Sequence, residues 1–222
     1  MTVYLLIAIL FSSIYIGVEL FYKPLFAFFF KALASMSFIV LGSVSVAIFR
    51  GGPTLLILFG LLFGMVGDLI LALRPLRPKE EDHTIILAGI ISFSLGHIFY
   101  LLFLLEVSRF SFYSILFSIG MTVIVMVVSY AMKFQMGKTK IPSYIYSFLI
   151  FLMVGQTIVY YLQQGNRPNV IMILIGAFLF GISDLILAPI YYNHMNHKAM
   201  IASNLITYYA AQILIAYSIF FL

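Results

Sequence analysis

The chain contains no cysteine, so disulfides, thiolate catalysis and cysteine metal sites are excluded. Charge is almost as scarce. Only 9% of the 222 residues are Asp, Glu, Lys or Arg, against roughly 25% in an ordinary soluble domain. The polar punctuation that a soluble fold needs is therefore missing. Ten-residue segments alternating polar and apolar positions are absent too, which excludes a transmembrane β-barrel. No GxSxG elbow, HExxH pair or phosphate-binding glycine loop occurs, so nucleophile-elbow hydrolases, zincins and P-loop enzymes have no foothold. The N-terminal run MTVYLLIAILFSSIYIGVELFYK lacks a basic leader and a small-residue cleavage site. It is expected to be a first transmembrane helix rather than a removed signal peptide.

What the chain has instead is oil: 64% of its residues are hydrophobic. Apolar stretches of about 20 residues follow one another, each long enough to cross a ~30 Å hydrocarbon layer. The expected fold is all-α, a polytopic membrane protein built as a bundle of eight transmembrane helices in a single domain over residues 1–222. The spans are predicted at about 3–21, 24–49, 53–73, 84–105, 110–132, 141–162, 168–190 and 198–221. The punctuation between them is GGP at 51–53, RPLRPKEED at 74–82, KFQMGKTKIP at 133–142 and QQGNRP at 163–168.

The net charge of +5 is weak evidence for a nucleic-acid partner, and none is expected, because the basic residues sit in short loops. Their simpler use is topology and contact with anionic headgroups. With eight spans the termini share a side. The opposite loops hold Lys23, Arg74, Arg77, Lys79, Lys133, Lys138, Lys140 and Lys198, whereas the terminal side has Arg50, Arg109 and Arg167. By the positive-inside rule the richer side is cytoplasmic and both termini are extracytoplasmic. In a bacterium the membrane would be the cytoplasmic one.

One hexapeptide nearly repeats: GDLILA at 67–72 and SDLILA at 183–188. The copies end spans three and seven, which run in the same direction. Asp68 and Asp184 then lie at matching depth, about five or six residues or roughly 8 Å from the cytoplasmic ends. A four-plus-four parallel duplication would explain this, although the halves share little other sequence. A carboxylate inside a span costs a few kcal/mol, so it turns toward protein or a water-filled cavity. Gly60 and Gly64 precede Asp68, and Ala177 and Gly181 precede Asp184, on faces small enough for close helix approach. The bland reading is that each aspartate only bridges helices.

Other polar residues sit at similar levels. Lys31 can pair with an aspartate or snorkel to the interface. Glu19 is expected simply at the interface. Asn204, Tyr208 and Gln212 form an i, i+4, i+8 stripe on span eight that should face inward, lining a headgroup site or knitting helices. His97 is a proton carrier, a donor to substrate or an interhelical hydrogen bond, and straight-helix arithmetic puts it about 10 Å deeper than the aspartates. His194 and His197 lack a third strong ligand, so no metal site is expected.

The ordered segments GLLFGMVGDLILAL, GIISFSLGHIFYLLF, GAFLFGISDLILA and TYYAAQILIAYS resemble the lysoplasmalogenase (YhhN-like) integral membrane proteins over roughly residues 55–218. FKALASMSFIVLG resembles the lysine-containing segment of that family, although Ala34 and Ser35 stand where relatives often have a proline. The resemblance implies a hydrolase acting on an ether bond. It would split the vinyl ether of a lysoplasmalogen into a fatty aldehyde and glycerophosphocholine or glycerophosphoethanolamine. It also implies Asp68 and Asp184 as catalytic residues, with Lys31, His97, Asn204, Tyr208 and Gln212 supporting them and no cofactor. Lysophospholipid and membrane lipids are the expected partners. Such a reaction suits two carboxyls on chemical grounds, one protonated to attack the vinyl carbon and one ionised to steady the oxocarbenium ion. The competing readings are a proton-coupled transporter and a non-catalytic lipid-binding protein.

Overall fold

A computed structural model describes residues 1–49 and 51–222; Arg50, one of the three basic residues counted on the terminal side, lies outside the described residues. The described residues form eight long α-helices and no strand: α1 (Thr2–Phe21), α2 (Pro24–Phe49), α3 (Thr54–Ala72), α4 (Asp82–Val107), α5 (Phe112–Ala131), α6 (Lys140–Gln164), α7 (Pro168–Tyr192) and α8 (Lys198–Ser218). All eight are long and apolar enough to cross a membrane, as their sequence predicts, and the chain is an integral membrane protein. Local chemistry sets the ends. Proline opens α2 and α7, where its missing N–H costs nothing. The Ser111 hydroxyl accepts the Tyr113 N–H at 3.3 Å to cap α5. Gly165 closes α6 at φ +72°, a left-handed conformation that a Cβ disfavours.

Packing partners define a ring. Going round, α2 lies on α3, α3 on α4, α4 on α6, α6 on α7, α7 on α8, and α8 back on α2. Helix α5 leans on α6, and α1 leans on α2 and α8. The second half of this ring repeats the first, since α6, α7 and α8 stand as α2, α3 and α4 do. The register agrees: a single offset carries Pro24 to Lys140, Asp68 to Asp184 and Asp82 to Lys198, three equivalent points of the two halves. The four-plus-four parallel pseudo-repeat is thus carried by architecture where sequence similarity is thin. It is inexact, because α8 also packs on α3. In the ring, α3 and α7 stand opposite each other, with two helices between them either way.

Lipid tails are as apolar as a helix surface, so close packing rather than water expulsion holds such a bundle. Small residues supply that closeness. Gly96 approaches α3 so nearly that a Cβ there would sit 3.0 Å from the Gly60 carbonyl oxygen. Side chains such as Phe38, Phe103, Phe180 and Tyr209 fill the interior, while α5 turns most of its surface outward to lipid.

Candidate active site

A cavity of about 650 Å³ occupies the middle of the ring and reaches the loops on the lysine- and arginine-rich side, where Arg74, Arg77 and Lys79 line it. Asp68 and Asp184 both line this cavity. The repeated hexapeptide therefore puts two carboxylates on opposite walls of one space, on pseudo-symmetric helices.

Their surroundings differ. The Asp68 side chain is nearly inaccessible, at 3% exposure, and is held from two helices, α2 and α8. The Ser35 hydroxyl on α2 donates to Oδ2 at 2.6 Å, and the Tyr208 hydroxyl on α8 donates to the same oxygen at 2.8 Å. Lys31 Nζ stands 3.6 Å from Oδ1. Lys31 thus pairs with an aspartate instead of snorkelling. Asp184 is more open and accepts one hydrogen bond, from the Tyr146 hydroxyl on α6 at 2.6 Å. No cation lies within ion-pair distance of it among the described residues.

An aromatic layer closes the deep end of the cavity. Phe93 sits between the two tyrosines that hold the carboxylates, its ring centroid 6.1 Å from Tyr208 and 6.5 Å from Tyr146. Phe180 packs against both Phe93 and Tyr208. This floor explains the first letter of each hexapeptide. A Cβ on Gly67 would lie 2.6 Å from the Phe93 ring, so the glycine is what admits the floor. At the equivalent position the Ser183 hydroxyl and carbonyl accept the Asn204 amide at 2.9 and 2.8 Å, joining α7 to α8. Gly67→Ala forces the Phe93 ring aside. It is expected to cost about 1–3 kcal/mol through overpacking, read as a lower Tm in detergent, together with a fall in kcat because the ring spaces the two carboxylate partners.

The supporting residues divide into two groups. Lys31, Asn204 and Tyr208 line the cavity with the aspartates. Gln212 and His97 lie behind the aromatic floor. Gln212 donates to the Tyr208 hydroxyl at 3.1 Å and accepts from the Tyr100 hydroxyl at 3.0 Å, so it orients a ligand of Asp68 from below. His97 is fully enclosed. Its Nδ1 donates to the Phe93 carbonyl on its own helix at 2.8 Å, and its ring stands on edge to Phe180 and Tyr146 at 4.6 and 5.5 Å. It touches the site only through these rings. Its Nε2 has no hydrogen-bond partner among the described residues.

Sequence reasoning missed Ser35, Tyr146 and Phe93, which hold the carboxylates or space them. It also placed Glu19 merely at the interface. Glu19 is exposed, but it lines the cavity and accepts a hydrogen bond from Tyr15 at 3.1 Å. At the mouth, the Arg74 guanidinium donates to Asp82 Oδ2 at 2.9 and 3.1 Å and lies over the Tyr191 ring at 4.5 Å. Arg77 and Lys79 make no ion pair among the described residues, and they leave their charge facing the opening.

The family whose model matches this chain is the YhhN family, over residues 26–219. That segment contains every residue of the two carboxylate clusters and leaves out α1. No curated protein and no solved structure matches.

Proposed function

This chain belongs to the YhhN family, the family of lysoplasmalogenases, and from that premise we propose that it hydrolyses the vinyl-ether bond of a lysoplasmalogen. The products are a fatty aldehyde and glycerophosphocholine or glycerophosphoethanolamine. The observation that carries the reading is the pair of carboxylates on facing walls of one cavity, each held by hydroxyl groups in a different way. The basic loop side is cytoplasmic and both termini are extracytoplasmic, so the cavity opens toward the cytoplasm.

The donor sets divide the labour. Asp68 receives an ammonium and two hydroxyl donors, a set that only an ionised carboxylate uses fully. Asp184 has one hydroxyl donor and leaves its other oxygen free to carry a proton toward the cavity. Asp184 therefore protonates the vinyl β-carbon, and the π electrons leave an oxocarbenium ion on the carbon bearing the ether oxygen. Asp68 stabilises that cation and takes a proton from the water that adds to it. The hemiacetal then collapses: its hydroxyl proton returns to Asp184, the carbonyl forms, and Asp68 gives its proton to the departing glycerol oxygen. One water is consumed and both carboxyls end as they began. Paired carboxyls around an oxocarbenium-like transition state are the chemistry of glycosidases on another fold.

What supports hydrolysis over proton-coupled transport is the aromatic floor, which ends the cavity instead of continuing it across the bundle. The test is aldehyde release from lysoplasmalogen by the purified protein in detergent, with the aldehyde reduced as it forms. In D₂O the trapped product is expected to carry a single deuterium on the carbon beside the former carbonyl, delivered from the acid. Aldehyde formed without that deuterium would overturn the protonation mechanism. No aldehyde over a range of pH and lipid conditions would overturn the enzyme.

A further inference from the structure

One residue that lines the cavity also lies on an outward-facing stripe of α7. On α7, Ile175, Phe178, Ile182 and Leu185 recur at helical spacing and are 45, 41, 44 and 44% exposed, a stripe turned toward lipid. Leu185 belongs to this stripe and also lines the cavity. The cavity therefore reaches the outer face of the bundle beside the residue that follows Asp184. Val125 of α5 is on the same lining, as are Ser147 and Phe151 of α6. Ser147 occupies on α6 the position that Lys31 holds on α2, by the same offset that relates the two aspartates. Where the first half carries a long lysine bound to its carboxylate, the second half carries a small hydroxyl, and the space beside Asp184 stays open.

We propose that this seam between α5 and α7 seats the hydrocarbon chain of a single-chain amphiphile, which reaches the carboxylates sideways from the bilayer. The two ends of the cavity fix the class of occupant. One end presents Arg77 and Lys79, without ion-pair partners among the described residues and suited to a phosphate, and the side at Leu185 is apolar and exposed. An amphiphile with its phosphate at the loops and its chain in the seam passes its junction between Asp68 and Asp184. The aromatic floor leaves the chain no deeper route. This inference rests on the lysophospholipid reading for its occupant and on the lining of the cavity for its place.

The chain contains no tryptophan, so one introduced indole is a clean reporter. Leu185→Trp and Ile182→Trp lie on the same lipid-facing stripe, but only the first lines the cavity. Each variant is placed in lipid nanodiscs and titrated with a non-hydrolysable alkyl-ether lysophosphocholine brominated along its chain. Quenching of Leu185→Trp is expected to saturate, with its midpoint at least about tenfold below that of Ile182→Trp, whose quenching follows the bulk bilayer. Val125→Trp, on the other wall, should behave like Leu185→Trp and serves if that variant does not fold. Equal quenching at the seam and at Ile182→Trp overturns the seam, even where the wild type releases aldehyde. Saturable quenching from a protein that releases no aldehyde leaves the seam standing and removes the hydrolase.

Discussion

Asp68→Asn and Asp184→Asn are each expected to abolish aldehyde release, by about 10³-fold or more, while each variant elutes as a folded bundle. An acid and a base acting at one centre contribute roughly 10²–10⁴-fold each. Asparagine keeps the size and most of the hydrogen bonding of aspartate. Its amide cannot deliver a proton to carbon, and it cannot take one from water. At Asp184 the substitution removes the acid and leaves the Tyr146 hydroxyl a carbonyl to bond, so stability should barely change. At Asp68 it removes the charge that faces Lys31, so kcat and stability should both fall. If either variant turns over at the wild-type rate, the two carboxylates do not act as a pair. A loss confined to Asp184→Asn would instead assign Asp68 to holding helices together.

The eight helices were legible because a bilayer imposes length: a run of about 20 apolar residues has one use there. Helix ends were legible from GGP, the basic loops and the prolines. The equivalence of Asp68 and Asp184 could be read from the hexapeptide alone, and the offset that relates them also relates the starts of α2 to α6 and of α4 to α8. Rotation was legible only where a polar stripe marks a face, as Asn204, Tyr208 and Gln212 do on α8, and all three are buried as expected. In a soluble protein the polar face marks the outside, but here lipid and core are equally apolar. Helix α4 thus gave no sign that Phe93 faces the cavity. Tyr146 and Ser35 were invisible for a related reason, because hydroxyl residues in oily helices mostly bond their own backbone, as Ser45 does to Leu41 at 2.8 Å. Gly67 did carry a signal. A glycine beside a buried carboxylate in a helix costs stability unless something fills its place, and here the Phe93 ring does. His97 was singled out by its rarity, yet a residue type fixes no position. It lies behind the floor, and its own helix satisfies Nδ1.

The buried ion pair gives the sharpest separation of structure from chemistry. Lys31 and Asp68 are 11% and 3% exposed at the side chain, so removing one partner strands a charge in a low-dielectric interior. Lys31→Met is expected to cost about 3–5 kcal/mol, the usual range for breaking a buried pair from one side. The double variant Lys31→Met with Asp68→Asn strands no charge. Asparagine can still accept from Ser35 and Tyr208, and methionine fills the lysine stem's volume. Its Tm should therefore recover most of what Lys31→Met loses, with a coupling energy of at least about 2–3 kcal/mol in the cycle. Turnover should not recover at all, because the ionised carboxylate is gone. Thermal unfolding of the four proteins in one detergent, beside their aldehyde release, reads both quantities at once. Additive losses of stability would mean that Lys31 does not hold the charge on Asp68. A stable double variant that still turned over would take Asp68 out of the reaction.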